Sequence, residues 1–183
     1  TQISPALVTA FAPSGTLRAS INLGNPILAN KHPVSYQPVG VSIDLAHEFA
    51  RRLGVGVELV VFDKAAASVD AVKAERADIG FFAIDPARSE GLRFTAPYVL
   101  IEGSYLVRDG SELQDNAQVD EAGHRIAVGA GSAYDLFLTR EIHQAELVRV
   151  QGAQAVLSAL RAGQVDVAAG IRQLLETEAR RSS

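Results

Sequence analysis

The residue in this chain best equipped to hold a ligand is Arg88. Its guanidinium stays charged at any physiological pH and offers a planar fork of donors that matches a carboxylate in a short, directional contact. It lies in the stretch Gly80–Tyr98, GFFAIDPARSEGLRFTAPY, a few residues after the apolar run Ile79 to Ile84. That run predicts one buried strand, ended at Asp85-Pro86 because proline has no N–H to give to a ladder. A cation just past a strand's carboxyl end stands where open α/β sheets receive ligands, so an anion is the expected partner. The competing reading is a surface salt bridge from Arg88 to Glu90 or Asp85.

A second candidate is the small-residue turn Gly129-Ala130-Gly131-Ser132-Ala133, set between a strand and a helix. Backbone N–H groups at a helix start attract anions, and small residues let a ligand approach them; the same residues also read as an ordinary helix start with Ser132 as N-cap. The turn has neither a following Gly-Lys-Ser/Thr nor the Gly-x-Gly-x-x-Gly spacing, and no cofactor is expected. Asn25, in Gly24-Asn25-Pro26, is either a pocket residue or the closure of that turn. Asp78 and Asp166 stand just ahead of strands and read as turn or cap residues rather than a catalytic carboxylate pair. The sequence holds no cysteine, no Gly-x-Ser-x-Gly and no His-Glu-x-x-His, and His32, His47, His124 and His143 are too far apart for a local ligand pair. Thiol chemistry is excluded, and neither a metal nor an enzymatic activity is expected.

Elements must carry these residues. Leu17 to Leu23 predicts the first strand, broken by Gly24-Asn25-Pro26, and Lys31 to Pro38 predicts a loop. Ile43, Ala46, Phe49, Ala50 and Leu53 recur at helical spacing up to Gly54, a C-cap. Val55 to Phe62 predicts a strand, Ala66 to Glu75 a helix, and Ser104 to Val107 another extended piece. Then follow strand Arg125 to Val128, a helix from Ser132, strand Glu146 to Val150, helix Ala153 to Ala162, strand Val165 to Ala169 and helix Ile171 to Arg181. This alternation predicts an α/β fold with mostly parallel sheets flanked by helices. Ala71-Val72-Lys73-Ala74 leading to Asp78-Ile79 has a counterpart in Ala159-Leu160-Arg161-Ala162 leading to Asp166-Val167, an internal repeat that predicts two like lobes. Clefts between such lobes are common ligand sites.

With 183 residues and 48% hydrophobic content the chain can bury a sizeable core. A net charge of -4, with 17 basic residues scattered along it, argues against a nucleic-acid binder. No apolar run approaches the length of a membrane-spanning helix. The chain begins at Thr1, which fits a processed N-terminus after removal of an export signal peptide.

Gly40–Gly54 (GVSIDLAHEFARRLG), Asp78–Tyr98 with Arg88 and Phe94-Thr95-Ala96-Pro97-Tyr98, the turn Val128–Ala133 and Ala162–Asp166 together resemble the extracytoplasmic solute-binding proteins of ABC transporters, of the polar amino-acid-binding type, family 3. The resemblance runs from about Leu17 onward. It implies a two-lobe periplasmic-binding-protein fold of the second type, with residues 1–103 as lobe 1, lacking its C-terminal part, and 104–183 as lobe 2. It further implies a periplasmic receptor, monomeric when complete, that closes on a small carboxylate in the inter-lobe cleft and hands it to a membrane permease. Arg88 would bind the carboxylate, with Phe81 and Ala83 beside it and Ser132 and Ala133 adding donors from lobe 2.

The departures from the family pattern are informative. Ala83 and Asp85 stand where hydroxyl residues are usual, and Ala133 where a threonine is. The aspartate that holds an amino acid's ammonium would lie five residues after Asp166, which is Ile171. The expected ligand is therefore a carboxylate less polar than an ordinary amino acid, because an unpaired ammonium is costly to bury. Phe81, Phe82 and Tyr134 are candidates to line the pocket, with only one of the two phenylalanines facing it. The runner-up readings are an enzyme on the same scaffold, a dehydratase of cyclohexadienyl acids with Asp85 as general acid, and a sensor domain of a membrane receptor.

Overall fold

The structure, a computed structural model, describes residues 3–182, Ser182 by its backbone alone. Thr1, on which the expectation of a processed N-terminus rests, and Ser183, where the expected truncation falls, lie outside the described residues. The chain divides into two compact units, Thr1–Phe94 and Thr95–Ser183.

The first unit opens with α1 (Pro5–Phe11), where Pro5 occupies the first helical position and Oγ of Ser4 caps the N–H of Leu7. Then come β1 (Thr16–Asn22), the short pair β2 (Asn30–Lys31) and β3 (Pro38–Val39), α2 (Val41–Leu53), β4 (Gly56–Phe62), α3 (Ala65–Lys73), β5 (Ile79–Gly80) and α4 (Pro86–Ser89). The sheet runs β4-β1-β5, all parallel. Because side chains alternate along a strand, Leu17, Ala19 and Ile21 of the central β1 pack with Ile43, Ala46, Ala50 and Leu53 of α2. Ser20 points the other way and donates its hydroxyl to the carbonyl of Ser68 on α3 at 2.8 Å. A polar atom at the centre of the unit is thus satisfied rather than penalised. Gly54 ends α2 in the left-handed conformation expected of a C-cap.

The second unit contains β6 (Gly103–Val107), β7 (Arg125–Gly129), α5 (Ala133–Glu141), β8 (Glu146–Val150), α6 (Ala153–Arg161), β9 (Val167–Ile171) and α7 (Arg172–Ser182). Its sheet runs β6-β9-β7-β8, with β6 antiparallel to β9 and the other pairs parallel. Ile126 and Val128 of β7 face Leu138 of α5, whereas Ala127 faces Val156 and Leu160 of α6. Among the described residues, no helix is long and apolar enough to cross a membrane.

The internal repeat has an atomic signature. In the first unit the backbone N–H of Arg18 donates to Oδ2 of Asp78 at 2.8 Å, and the N–H of Asp78 returns to the carbonyl of Arg18 at 2.8 Å. In the second the N–H of Arg125 donates to Asp166 at 2.8 Å and that of Asp166 returns to the carbonyl of Arg125 at 2.9 Å. Each aspartate also pairs with the guanidinium of its arginine, closely in the first unit and at 3.5 Å in the second. These aspartates therefore bind the entry of one strand to the entry of its neighbour, so that Ala19 falls opposite Ile79 and Ile126 opposite Val167.

Three expectations are corrected. The run Ile79 to Ile84 pairs only over Ile79–Gly80, and Ile84 is 54% exposed. The physical reason is local: the ring of Phe82 folds back onto Gly80, into the place a Cβ would take, so the chain leaves the sheet there. The strand expected at Val165 to Ala169 starts two residues later, because Asp166 is committed to Arg125 and only the residues after it enter the ladder. Ile171 is accordingly the end of a strand, not the start of a helix. The stretch from Lys31 to Pro38, read as loop, is the tip of an antiparallel pair closed by Nδ1 of His32, which accepts the N–H groups of Val34 and Ser35.

Candidate functional site

The chain leaving β5 turns at Asp85, whose Oδ1 accepts the N–H of Ala87 at 2.8 Å and so caps the single turn α4, with Pro86 at its first position. This turn carries Arg88. Nζ of Lys73, in the last turn of α3, donates to the carbonyl of Ala87 at 3.0 Å and ties the loop to the body of the unit. Arg88 is 5% exposed and Asp85 likewise 5%, so neither is a surface charge. Nη1 of Arg88 lies 3.5 Å from the carbonyl of Ala83, a long contact. Taking a guanidinium out of water is costly, and a structure that does so holds it in place.

The other candidates in this unit have divided fates. Ala83 is exposed on the segment between β5 and Arg88. Phe81 is half-buried and packs against the cluster of Ala19, Ile21 and Ile43, while Phe82 covers Gly80. Asn25 closes its turn: Oδ1 accepts the N–H of Ile27 at 3.2 Å and its carbonyl accepts those of Leu28 and Ala29. Of the two readings of Asn25, turn closure describes the oxygen of its side chain.

In the second unit Ser132 is the N-cap of α5, its Oγ accepting the N–H of Asp135 at 3.2 Å, and Ala133 is the first helical residue. The turn differs from expectation in one respect. The N–H of Gly131 donates to Oδ2 of Asp135 at 2.8 Å, that of Ser132 to the carbonyl of Gly129 and that of Ala130 to the carbonyl of Val150. The loop's own donors are thus spent inside the unit, and the fixed negative charge at this helix start belongs to the protein. Asp135 is buried, pairs with Nε of Arg149 at 2.8 Å and accepts from Oγ1 of Thr139, itself bonded by Arg149. Sequence reasoning missed this network. The available signal was Ser132-x-x-Asp135, the spacing of a helix-start motif in which the acidic side chain reaches back toward the cap.

Ile171, at the end of β9, is 6% exposed and directly opposite Gly103. The next residue, Arg172, pairs with Glu102 and Glu176, and its N–H donates to the carbonyl of Glu102. At the carboxyl end of β9 there is therefore an apolar side chain, followed by a cation already matched by two carboxylates. Among the described residues no group of three or more histidine, aspartate and glutamate side chains could hold a metal ion.

The model of the bacterial extracellular solute-binding proteins, family 3, matches residues 27–126, more than half of the 183. The chain belongs to that family. Solved structures agree on the fold. An ancestral amino acid-binding protein, a precursor of cyclohexadienyl dehydratase, superposes with a TM-score of 0.79 at 19% identity, over 96% of this chain and 78% of that one. A solute receptor for L-cysteine of Neisseria gonorrhoeae gives 0.79 at 23% identity, over 96% and 72%. An amino acid ABC transporter substrate-binding protein from Streptococcus pneumoniae, bound to L-arginine, gives 0.77 at 20%, over 95% and 74%. The α/β architecture with parallel sheets is that of the second type of periplasmic-binding fold, as the sequence motifs imply. No curated protein sequence matches the chain.

Proposed function

We propose that this family 3 solute-binding chain is an extracytoplasmic receptor for a small carboxylate-bearing solute, which it delivers to the membrane permease of an ABC transporter, and that it is not an enzyme. Arg88 is the carboxylate's first partner, with Ala83 on the segment leading to it. With the N–H groups of Ala130, Gly131 and Ser132 spent within the unit, the second donor set at the start of α5 is reduced to the hydroxyl of Ser132 and the N–H of Ala133. The observation that carries this reading is the near-complete burial of a permanently charged guanidinium on a capped turn just past the end of β5. Ile171 directs the choice toward a ligand without an ammonium group near its carboxylate.

The test is ligand-induced stabilisation. At a hundredfold excess over its dissociation constant, a ligand adds about 2.7 kcal/mol, which for a chain of this size raises Tm by about 5–10 °C. Native mass spectrometry of unrefolded protein identifies a co-purifying acid to use as the probe. Arg88→Ala is expected to abolish the rise; an unchanged response removes Arg88 from the site.

A second reading has one observation in its favour, the likeness in fold to a precursor of cyclohexadienyl dehydratase. It requires Asp85 as general acid, and the Oδ1 of Asp85 is engaged in capping α4. Turnover of prephenate or arogenate, followed by absorbance, would support this reading over binding alone.

A further inference from the structure

The strands β2 and β3 are joined by a tip, residues 33–37, and the acceptor that closes it is an imidazole. Nδ1 of His32 accepts the N–H of Val34 at 3.2 Å and that of Ser35 at 3.1 Å. A ring nitrogen that accepts carries no proton, so the imidazole is neutral with its proton on Nε2. Elsewhere in the chain the same two-residue reach is made by oxygens, from Asn22 to Gly24, Asn25 to Ile27, Asp85 to Ala87 and Asp115 to Ala117. Amide and carboxylate oxygens keep accepting throughout the neutral range, whereas histidine is the side chain that takes up a proton between about pH 8 and 5. The whole tip is open to solvent, and it presents Val34 at 79% and Tyr36 at 73% exposure. Tyr36 is held in the left-handed conformation, φ 58°, and gives its N–H to the carbonyl of His32 at 2.9 Å. The N–H of His32 goes to the carbonyl of Gln37 at 2.8 Å.

We propose that His32 is a proton-operated clasp: neutral, it holds the tip closed, and protonated, it releases residues 33–36 and with them the exposed Val34 and Tyr36. A proton from solvent takes the lone pair of Nδ1, and the imidazolium is then a donor at both nitrogens. The N–H groups of Val34 and Ser35 lose their acceptor and face a third N–H, an arrangement the ring leaves by rotating away. What remains across the tip is the backbone pairing of His32 with Tyr36 and Gln37, and the strained conformation of Tyr36 is free to relax. The closed form is therefore favoured at the alkaline end of the range, where His32 is neutral, and is lost as pH falls. The charged and titratable groups around the clasp are Lys31 on β2, Tyr36 in the tip and, on α2 behind β3, Asp44, His47, Glu48, Arg51 and Arg52. Glu48 is paired with Arg51 and Arg52. Of these groups His47 is the one that titrates in the same range as His32. This inference stands apart from the carboxylate-receptor reading.

The experiment is nuclear magnetic resonance of the isotope-labelled full chain at about pH 7.5 and about pH 5, either side of the histidine range. It reads the coupling between the amide nitrogen of Ser35 and Nδ1 of His32 across their hydrogen bond. It also reads the exchange of the Val34 and Ser35 N–H groups with water, corrected for the intrinsic dependence of exchange on pH. In the wild type the coupling is expected at the higher pH and absent at the lower, with corrected exchange about ten times faster there. His32→Asn, which puts an amide oxygen in the same place, is expected to exchange equally slowly at both pH values, and His32→Ala equally fast at both. His47→Gln is expected to behave as the wild type. The amides of β1 report folding, and if His32→Ala does not fold, the wild type and His32→Asn carry the test. A coupling that persists at the lower pH, or a wild-type exchange ratio near one, overturns the proposal. So does a pH dependence that survives in His32→Asn or vanishes in His47→Gln, which gives the switch to another group, or one in which the β1 amides open together with the tip.

Discussion

The two aspartate latches make a controlled comparison within one molecule. Asp78→Ala removes a side chain only 6% exposed that accepts the backbone N–H of Arg18 at 2.8 Å. Orphaning a backbone donor at this half-buried strand entry costs about 1–3 kcal/mol, and the upper part of that range applies because the Asp78 side chain is almost covered. Asp166→Ala removes the equivalent bond to Arg125, but its side chain is 31% exposed and that of Arg125 42%. Water can replace much of what is lost there, so the cost is about 1 kcal/mol. Native-state amide exchange reads each unit separately. In Asp78→Ala the amides of β1 are expected to exchange about 30–100 times faster, and in Asp166→Ala those of β7 about 5 times faster, at 1.4 kcal/mol per factor of ten. Equal accelerations in the two variants would refute the argument that burial, rather than the shared bonding pattern, sets the strength of the latch.

Other consequences are as direct. Glu75 follows α3 with φ of 58°, in the left-handed conformation that Gly163 adopts at the same place after α6. Glu75→Gly is therefore expected to stabilise the first unit by about 1 kcal/mol, visible as a higher urea midpoint; a lower midpoint would show that the side chain contributes more than the strain costs. Asp120 accepts the N–H groups of Ala145, Gln144 and His143, which hold its carboxyl below the usual range in the order given. Because the folded pKa lies below the unfolded one, its contribution is complete above the unfolded value, near pH 4, and lost as pH falls through the folded one. Asp120→Asn is expected to flatten the acid limb of the stability profile and leave its slope near neutrality unchanged; an unchanged acid limb would refute the assignment. In the same way Asp166 sits below its usual value: burial opposes its charge, and the N–H and guanidinium of Arg125 outweigh that.

The alternation of strand and helix, the cap at Gly54, the repeat of Asp78 and Asp166, and the placement of Arg88 after a strand were all legible in the amino-acid sequence. Each depends on spacing along the chain or on a backbone preference that neighbours only reinforce. Residues that act through contacts distant in sequence were not legible. Nothing local says that Asp135 will meet Arg149, or that Tyr134 will fill the place of a side chain missing from Gly103. Periodicity also misplaced Ile171, since Val165 is buried whether or not it belongs to the ladder, and only the commitment of Asp166 to Arg125 decides where the ladder begins. Local rules reach as far as the hydrogen bonds and side-chain periods of one element. The chemistry around Arg88 and Ile171 depends on what other elements bring within a few ångströms, and that is a property of packing in three dimensions.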